Sequence, residues 1–413
     1  MPETLAQPGL ASTLTEQLRR ALGLAENALG LLEARDPGID LDKLEAPPDK
    51  VIAETAMFLR AATAVPHTLA PDVVEHARGL AARLCVHARQ PRVAVGMALN
   101  PTLAYDYGAA HLVLSRAGFP DSRFDALLTE VGADPLCRAK ERLPHRELEQ
   151  AWLAWMAGGA APGLELLSAT ALVRGVNPLT GTRDDLYALT HALLYATDFG
   201  NHPLDPALPT EGVLPLVRSL LARTLDEDDF DLAGELLLTW PFLKAPWDAS
   251  AGLALQVLWD VERRVGILPS LSIDHAEFES LPEGSRSHYL TAVSYHTAFV
   301  MGLLCAVLLQ HGSFPEAAAS GPSTHSQITE GLLAALLAQK KPPQWLTFVM
   351  GRPEAERAGY LPFILDVALW RAVRRLDFAG VRELLQHSLE AALEVSPMVT
   401  QAAGMLSRVA RFA

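Results

Sequence analysis

The most constraining feature of this chain is its punctuation. Apolar residues recur at helical spacing, and short breaks containing Pro or Gly interrupt them about every 15–25 residues. The stretch 13–33 places Leu14, Leu18, Leu22 and Leu29 on one stripe and ends near Pro37-Gly38. Stretches 72–89, 103–117, 146–156, 184–198, 212–223, 229–238, 252–265, 288–309, 327–338, 361–375, 379–393 and 398–411 follow the same rule. Gly118-Phe119-Pro120, Gly158-Gly159, Pro241, Pro269 and Pro342-Pro343 are among the breaks. No run of alternating β-branched residues is present, so the expected fold class is all-α.

Short breaks make consecutive helices antiparallel neighbours, which predicts helical hairpins arranged as an α/α toroid or a curved solenoid. The predicted division is an N-terminal helical extension over 1–95 and a helical-hairpin domain over 96–413. Tyr107-x-x-x-His111-x7-Phe119 repeats as Tyr187-x-x-x-His191-x7-Phe199, and Leu376-Asp377-Phe378-Ala379-Gly380 echoes Thr197-Asp198-Phe199-Gly200. Such echoes fit either helix ends closed by an aromatic residue or duplicated helix pairs. The longest irregular connections are expected over 200–211 and 270–287, where sites tend to be built.

Composition narrows the function classes. The 413 residues carry a net charge of −14, which argues against nucleic acid or anionic lipid as the main partner. Half of the residues are hydrophobic, so disorder is not the dominant state. The uncharged stretch 295–309 is short of the ~20 residues a membrane span needs and reads as a buried helix. Cys85, Cys137 and Cys305 have no zinc or redox spacing, and Cys305 lies in an apolar run as a core residue would. The first residues lack the basic and apolar regions of a signal peptide. A soluble, cytoplasmic protein is expected, and the excess of Arg over Lys suggests a GC-rich bacterial gene.

The densest chemical signal is the helix around His191. Tyr187, His191, Tyr195 and Asp198 fall at i, i+4, i+8 and i+11, one stripe of a helix, and His202 follows its end. An imidazole between two phenols with a carboxylate nearby can transfer protons. Hydrogen-bonded core packing explains the same stripe equally well.

A second excess surrounds His296. Asp274, His275 and Glu277 are weak candidate metal ligands, with His288 or His296 added from the next helix, though their spacing fits no established signature. Tyr295 and His296 open the most apolar helix, where burial would lower an imidazole pKa. The acidic run 226–231 (Asp226-Glu227-Asp228-Asp229-Phe230-Asp231) invites comparison with terpene cyclases, but the partner motifs are missing. It reads instead as a solvated helix start that complements the helix dipole. No nucleotide, kinase, hydrolase or cofactor motif is present, so no cofactor is expected.

The stretches 185–191 (Asp-Leu-Tyr-Ala-Leu-Thr-His), 197–200 (Thr-Asp-Phe-Gly) and 294–297 (Ser-Tyr-His-Thr) resemble an uncharacterised family of bacterial all-helical proteins over residues 165–390. The resemblance implies helical architecture and says nothing of substrate. The functional expectation is a cofactor-independent enzyme of specialised metabolism, catalysing proton transfer, elimination or cyclisation on a small molecule or peptide. His191 or His296 would be the acid/base and Asp198 its orienting group, while Tyr187, Tyr195, His202, His288 and Tyr295 would bind substrate. The rival expectation is a non-enzymatic helical-repeat module binding a peptide or protein partner. A subunit presenting a peptide to another enzyme, or a homo-oligomer, would serve the same rival class.

Overall fold

The computed structural model describes residues 7–33, 46–64, 68–312, 314, 322–338 and 342–412, and every regular element among them is helical. The expected break at Pro37-Gly38 lies outside these residues. The chain forms two compact units. The first comprises Met1–Thr170, His191–Asp205 and Leu268–Ser313; the second comprises Ala171–Thr190, Pro206–Ile267 and Phe314–Ala413. Residue 95 therefore falls inside the first unit, and the division cuts the Arg183–Ala196 helix between Thr190 and His191.

In the first unit the Glu283–His311 helix is the core. It alone among the described residues is long and apolar enough to cross a membrane, yet 89% of its apolar window is buried. The Gln7–Glu33 and Pro48–Thr63 helices pack on it, with Leu14, Leu18, Leu22 and Leu29 buried as their spacing predicts. Gly302 is required for this approach. A Cβ built there would sit 2.6 Å from both Ala21 Cβ and Phe58 Cε2. Cys305 is fully buried as a small apolar residue.

Further along this unit, the Ala104–Arg116, Pro144–Met156 and Arg183–Ala196 helices are joined by side-chain links at a nearly even sequence interval. Gln150 Nε2 donates to Asp106 Oδ1 across 44 residues, and Arg116 donates to the Met156 carbonyl across 40. Tyr195 and Asp198 reach Glu149 and Trp152, each across 46. Two of the helix ends involved close alike. The Phe119 amide bonds to the Leu114 carbonyl and the Phe199 amide to the Leu194 carbonyl, the longer bond of a Schellman turn. The echo between residues 107–119 and 187–199 thus extends to backbone geometry.

The second unit contains its own pair of matching turns. The Val213–Asp226 and Leu361–Arg374 helices pack together, with the Ser219 hydroxyl on Asp366 and Arg371 on Asp226. Each ends in a left-handed residue, Asp228 at φ 54° or Leu376 at φ 57°. An aspartate N-cap follows each, Asp229 (φ −82°, ψ 77°) or Asp377 (φ −82°, ψ 79°). Phe230 or Phe378 then begins the next helix. The same backbone bonds recur in both, including Asp229 to Thr224 and Asp377 to Ala372. Expected irregular segments persist over 200–211, whereas 270–287 contains a short helix, His275–Ser280.

Candidate functional site

In the first unit the candidate residues of the Arg183–Ala196 helix and its C-terminal turn face the Pro144–Met156 helix rung by rung. The His145 and His191 rings lie 6.4 Å apart. The Tyr195 hydroxyl donates to Glu149 Oε1 at 2.7 Å, and Trp152 Nε1 donates to Asp198 Oδ1 at 3.0 Å. His145, Glu149 and Trp152 follow i, i+4 and i+7, as do His191, Tyr195 and Asp198, so the two helices run parallel in register. Trp152 also packs against Tyr195 and Phe199, and His191 against Tyr195.

Asp198 is the most constrained of these groups. It is 3% exposed, and Arg60 Nη2 donates to its Oδ2 at 2.5 Å. His202, more than half exposed, brings Nδ1 to 3.6 Å from the same carboxylate. Asp198 and Phe199 both have positive φ, 47° and 57°, ahead of Gly200 at 85°. Such a run costs free energy for the non-glycine residues, and tertiary contacts hold it in place. The carboxylate is thereby committed to an ion pair and an indole rather than to orienting His191.

His296 does not open its helix. It sits midway along Glu283–His311, and its Nδ1 lies 3.0 Å from Glu54 Oε2. Burial works against ionisation of Glu54, but the His296 imidazole and the Lys50 ammonium outweigh it and hold the carboxyl below its ordinary range. Tyr295 is buried with its ring edge-on to His296 and Phe299, and His288 is half-buried about two turns earlier. Both Glu54 and Arg60 come from the Pro48–Thr63 helix, within the expected N-terminal extension over 1–95. Asp274, His275 and Glu277 are exposed, and Asp274 spends its Oδ1 capping the amides of Ala276 and Glu277. They belong to no group of three ligand side chains at metal-binding distance among the described residues.

In the second unit Tyr187 donates to Asp231 Oδ2 at 2.5 Å, and Thr190 donates to Glu235 Oε2 at 2.5 Å. Arg183 grips Asp229 through Nε and Nη2, at 2.7 and 3.1 Å, and stacks over the Tyr187 ring. Burial, then the charges of Asp231 and Glu235, push the Tyr187 hydroxyl far above its ordinary range, so it remains a donor. This corrects the reading of the acidic run as a solvated helix start. Asp229 does cap the helix through the Leu232 amide, but Asp229 and Asp231 are 2% and 4% exposed and are matched by Arg183 and Tyr187. An acidic run looks solvated in sequence because its counter-groups lie 44–46 residues upstream.

His111, the counterpart of His191 in the echoed motif, shows how tightly such a histidine can be held. Arg89 Nε donates to its Nδ1 at 3.1 Å, so Nε2 carries the proton and donates to Asp125 at 3.0 Å. Burial lowers its pKa, with Asp125 opposing. Sequence reasoning missed His145, Glu149, Glu54 and Arg60. For His145 and Glu149 the i, i+4 spacing on an amphipathic helix was a usable signal; for Glu54 and Arg60 none existed.

Fold and site together define an all-helical protein whose polar residues cross-brace neighbouring helices at regular sequence intervals. Residues 18–306 match the family described as a domain of unknown function, DUF6895, and the chain belongs to that family. The match takes in the three motifs around His191, Asp198 and His296. No curated protein and no solved structure matches the chain.

Proposed function

We propose that the protein is a helical-repeat module that binds a peptide or protein partner. The observation that carries this reading is the interval between linked helices. In the first unit the links that join the Ala104–Arg116, Pro144–Met156 and Arg183–Ala196 helices and their C-terminal turns span 40–46 residues, and in the second the Arg183, Tyr187 and Thr190 links to the Phe230–Leu237 helix and its cap span 44–46. Equivalent helices of successive hairpins run parallel at such an interval in HEAT- and armadillo-type arrays, which use their extended faces for recognition. The fate of the candidate acid–base groups agrees: Asp198, Tyr195 and His296 are each engaged by another side chain. A soluble, cytoplasmic bacterial protein is part of the reading, supported by the burial of the Glu283–His311 helix.

The test is to pan a random peptide library against the full chain and map a synthesised hit by hydrogen exchange. Protection is expected on both the Ala104–Arg116 and Pro144–Met156 helices. Protection confined to one loop, or no saturable peptide, refutes the reading. A second reading, an acid–base enzyme, is favoured by the approach of His145 to His191 beside Tyr195 and Glu149. It requires the His191 ring resonances to respond to Glu149→Gln, which NMR measures directly.

A further inference from the structure

The paired turns of the second unit meet at a depression that the peptide-binding reading does not use. It has a volume of about 410 Å³ and is lined by Asp226, Glu227 and Asp228 from one turn and by Trp370, Arg371, Arg374 and Arg375 from the other, with Pro343 beside them. The charges are equal in number but not in availability. Arg371 holds Asp226 through Nε and Nη2, at 2.6 and 2.5 Å, and the Trp345 indole donates to Asp226 as well. Arg223 Nε donates to Glu227, and the Gln344 amide donates to Asp228. All three carboxylates are therefore engaged.

Beyond Arg371, the guanidinium groups on the other side are not. Arg374 and Arg375 are exposed, and neither has a carboxylate within 4 Å among the described residues; Arg374 only stacks on the Trp370 ring at 5.4 Å. Two buried donors on lining residues also lack an acceptor among the described residues, the Trp370 Nε1–H and the Arg371 Nη1–H group. These two residues are 7% and 9% exposed. A buried N–H without an acceptor is costly, and a native structure tolerates it most readily where an acceptor arrives from outside.

We propose that this depression binds a phosphate monoester of a small molecule. Two free guanidinium forks on adjacent residues suit the several oxygens of one phosphate, which a single carboxylate would not fill. The volume exceeds what a lone phosphate needs and leaves room for an organic group over Pro343 and the Trp370 indole. The helix dipole supplies the competing explanation for Arg374, since a cation at a helix C-terminus is favourable by itself. It does not account for the unmet donors of Trp370 and Arg371. The net charge of −14 and the nearby carboxylates weaken binding, so a dissociation constant in the high-micromolar range is expected.

Phenyl phosphate is the probe, titrated into the full chain at constant ionic strength by calorimetry or phosphorus NMR. Saturable one-to-one binding is expected, with inorganic phosphate competing. Arg374→Gln with Arg375→Gln should weaken it at least tenfold, and Trp370→Phe, which keeps the packing but removes the N–H, several-fold. Arg382→Gln, an exposed arginine on the next helix, should leave it unchanged. The proposal is overturned by non-saturable binding, by failure of inorganic phosphate to compete, or by equal losses in the double variant and Arg382→Gln. Circular dichroism confirms that the double variant keeps its fold. The peptide experiment reads the first unit, so the two readings fail independently.

Discussion

Asp366 offers the sharpest quantitative test of the second unit. Its side chain is buried on the Leu361–Arg374 helix, where the Ser219 and Ser396 hydroxyls donate to its two oxygens at 2.7 and 2.6 Å. No cation lies among those contacts. Burial raises its pKa from an ordinary 3.8 to about 6, and the two serines only partly oppose the rise. Below pH 4 both native and unfolded chains carry the proton. Between 4 and 6 only the unfolded chain has released it, so the native state binds more protons and stability falls as pH rises. Above 6 the native carboxyl ionises too, and the loss is complete. The gap corresponds to about 3 kcal/mol.

Asp366→Asn removes the ionisation while keeping one donor and one acceptor for the two serines. Urea unfolding should be followed by tryptophan fluorescence, because Trp240, Trp247, Trp259, Trp345 and Trp370 all lie in the second unit. From pH 4 to 7.5 the stability of the Asn variant should rise relative to wild type by roughly 2–3 kcal/mol. A difference that stays constant with pH, or that moves the other way, would show that the carboxyl is charged in the fold and that the serines alone can solvate it.

Three further outcomes follow from the geometry. Leu376→Gly should raise the stability of the second unit by about 0.5–1 kcal/mol, because an exposed leucine at φ 57° carries a left-handed penalty that glycine escapes; denaturant unfolding measures it. Gly302→Ala should cost roughly 1–3 kcal/mol in thermal unfolding, since its methyl meets Ala21 and Phe58 at 2.6 Å; an unchanged melting temperature would contradict that packing. Asp198→Ala should destabilise by roughly 3–5 kcal/mol, because it leaves Arg60 largely buried without its counter-charge and puts alanine in a left-handed position. A loss below 1 kcal/mol in urea unfolding would show that Arg60 reaches water once released.

The helical character of the chain was legible because periodicity is a local property. The 184–198 stripe appears as Arg183–Ala196, the four-leucine stripe of the first helix is buried, and Cys305 sits in the core. The echo between residues 107–119 and 187–199 was also visible, and in both the phenylalanine amide bonds to the carbonyl five residues earlier. The partners were not visible. Asp198 meets Arg60 across 138 residues, and His296 meets Glu54 across 242. Spacing along one helix says which side chains share a face but not which other face covers it. That choice belongs to long-range packing, which turned Asp198 from an orienting group into a buried ion-pair partner. The same packing buried Asp229 and Asp231 in a run that charge alone would leave in water, and among the described residues it left Arg374 and Arg375 without a carboxylate partner beside carboxylates already taken.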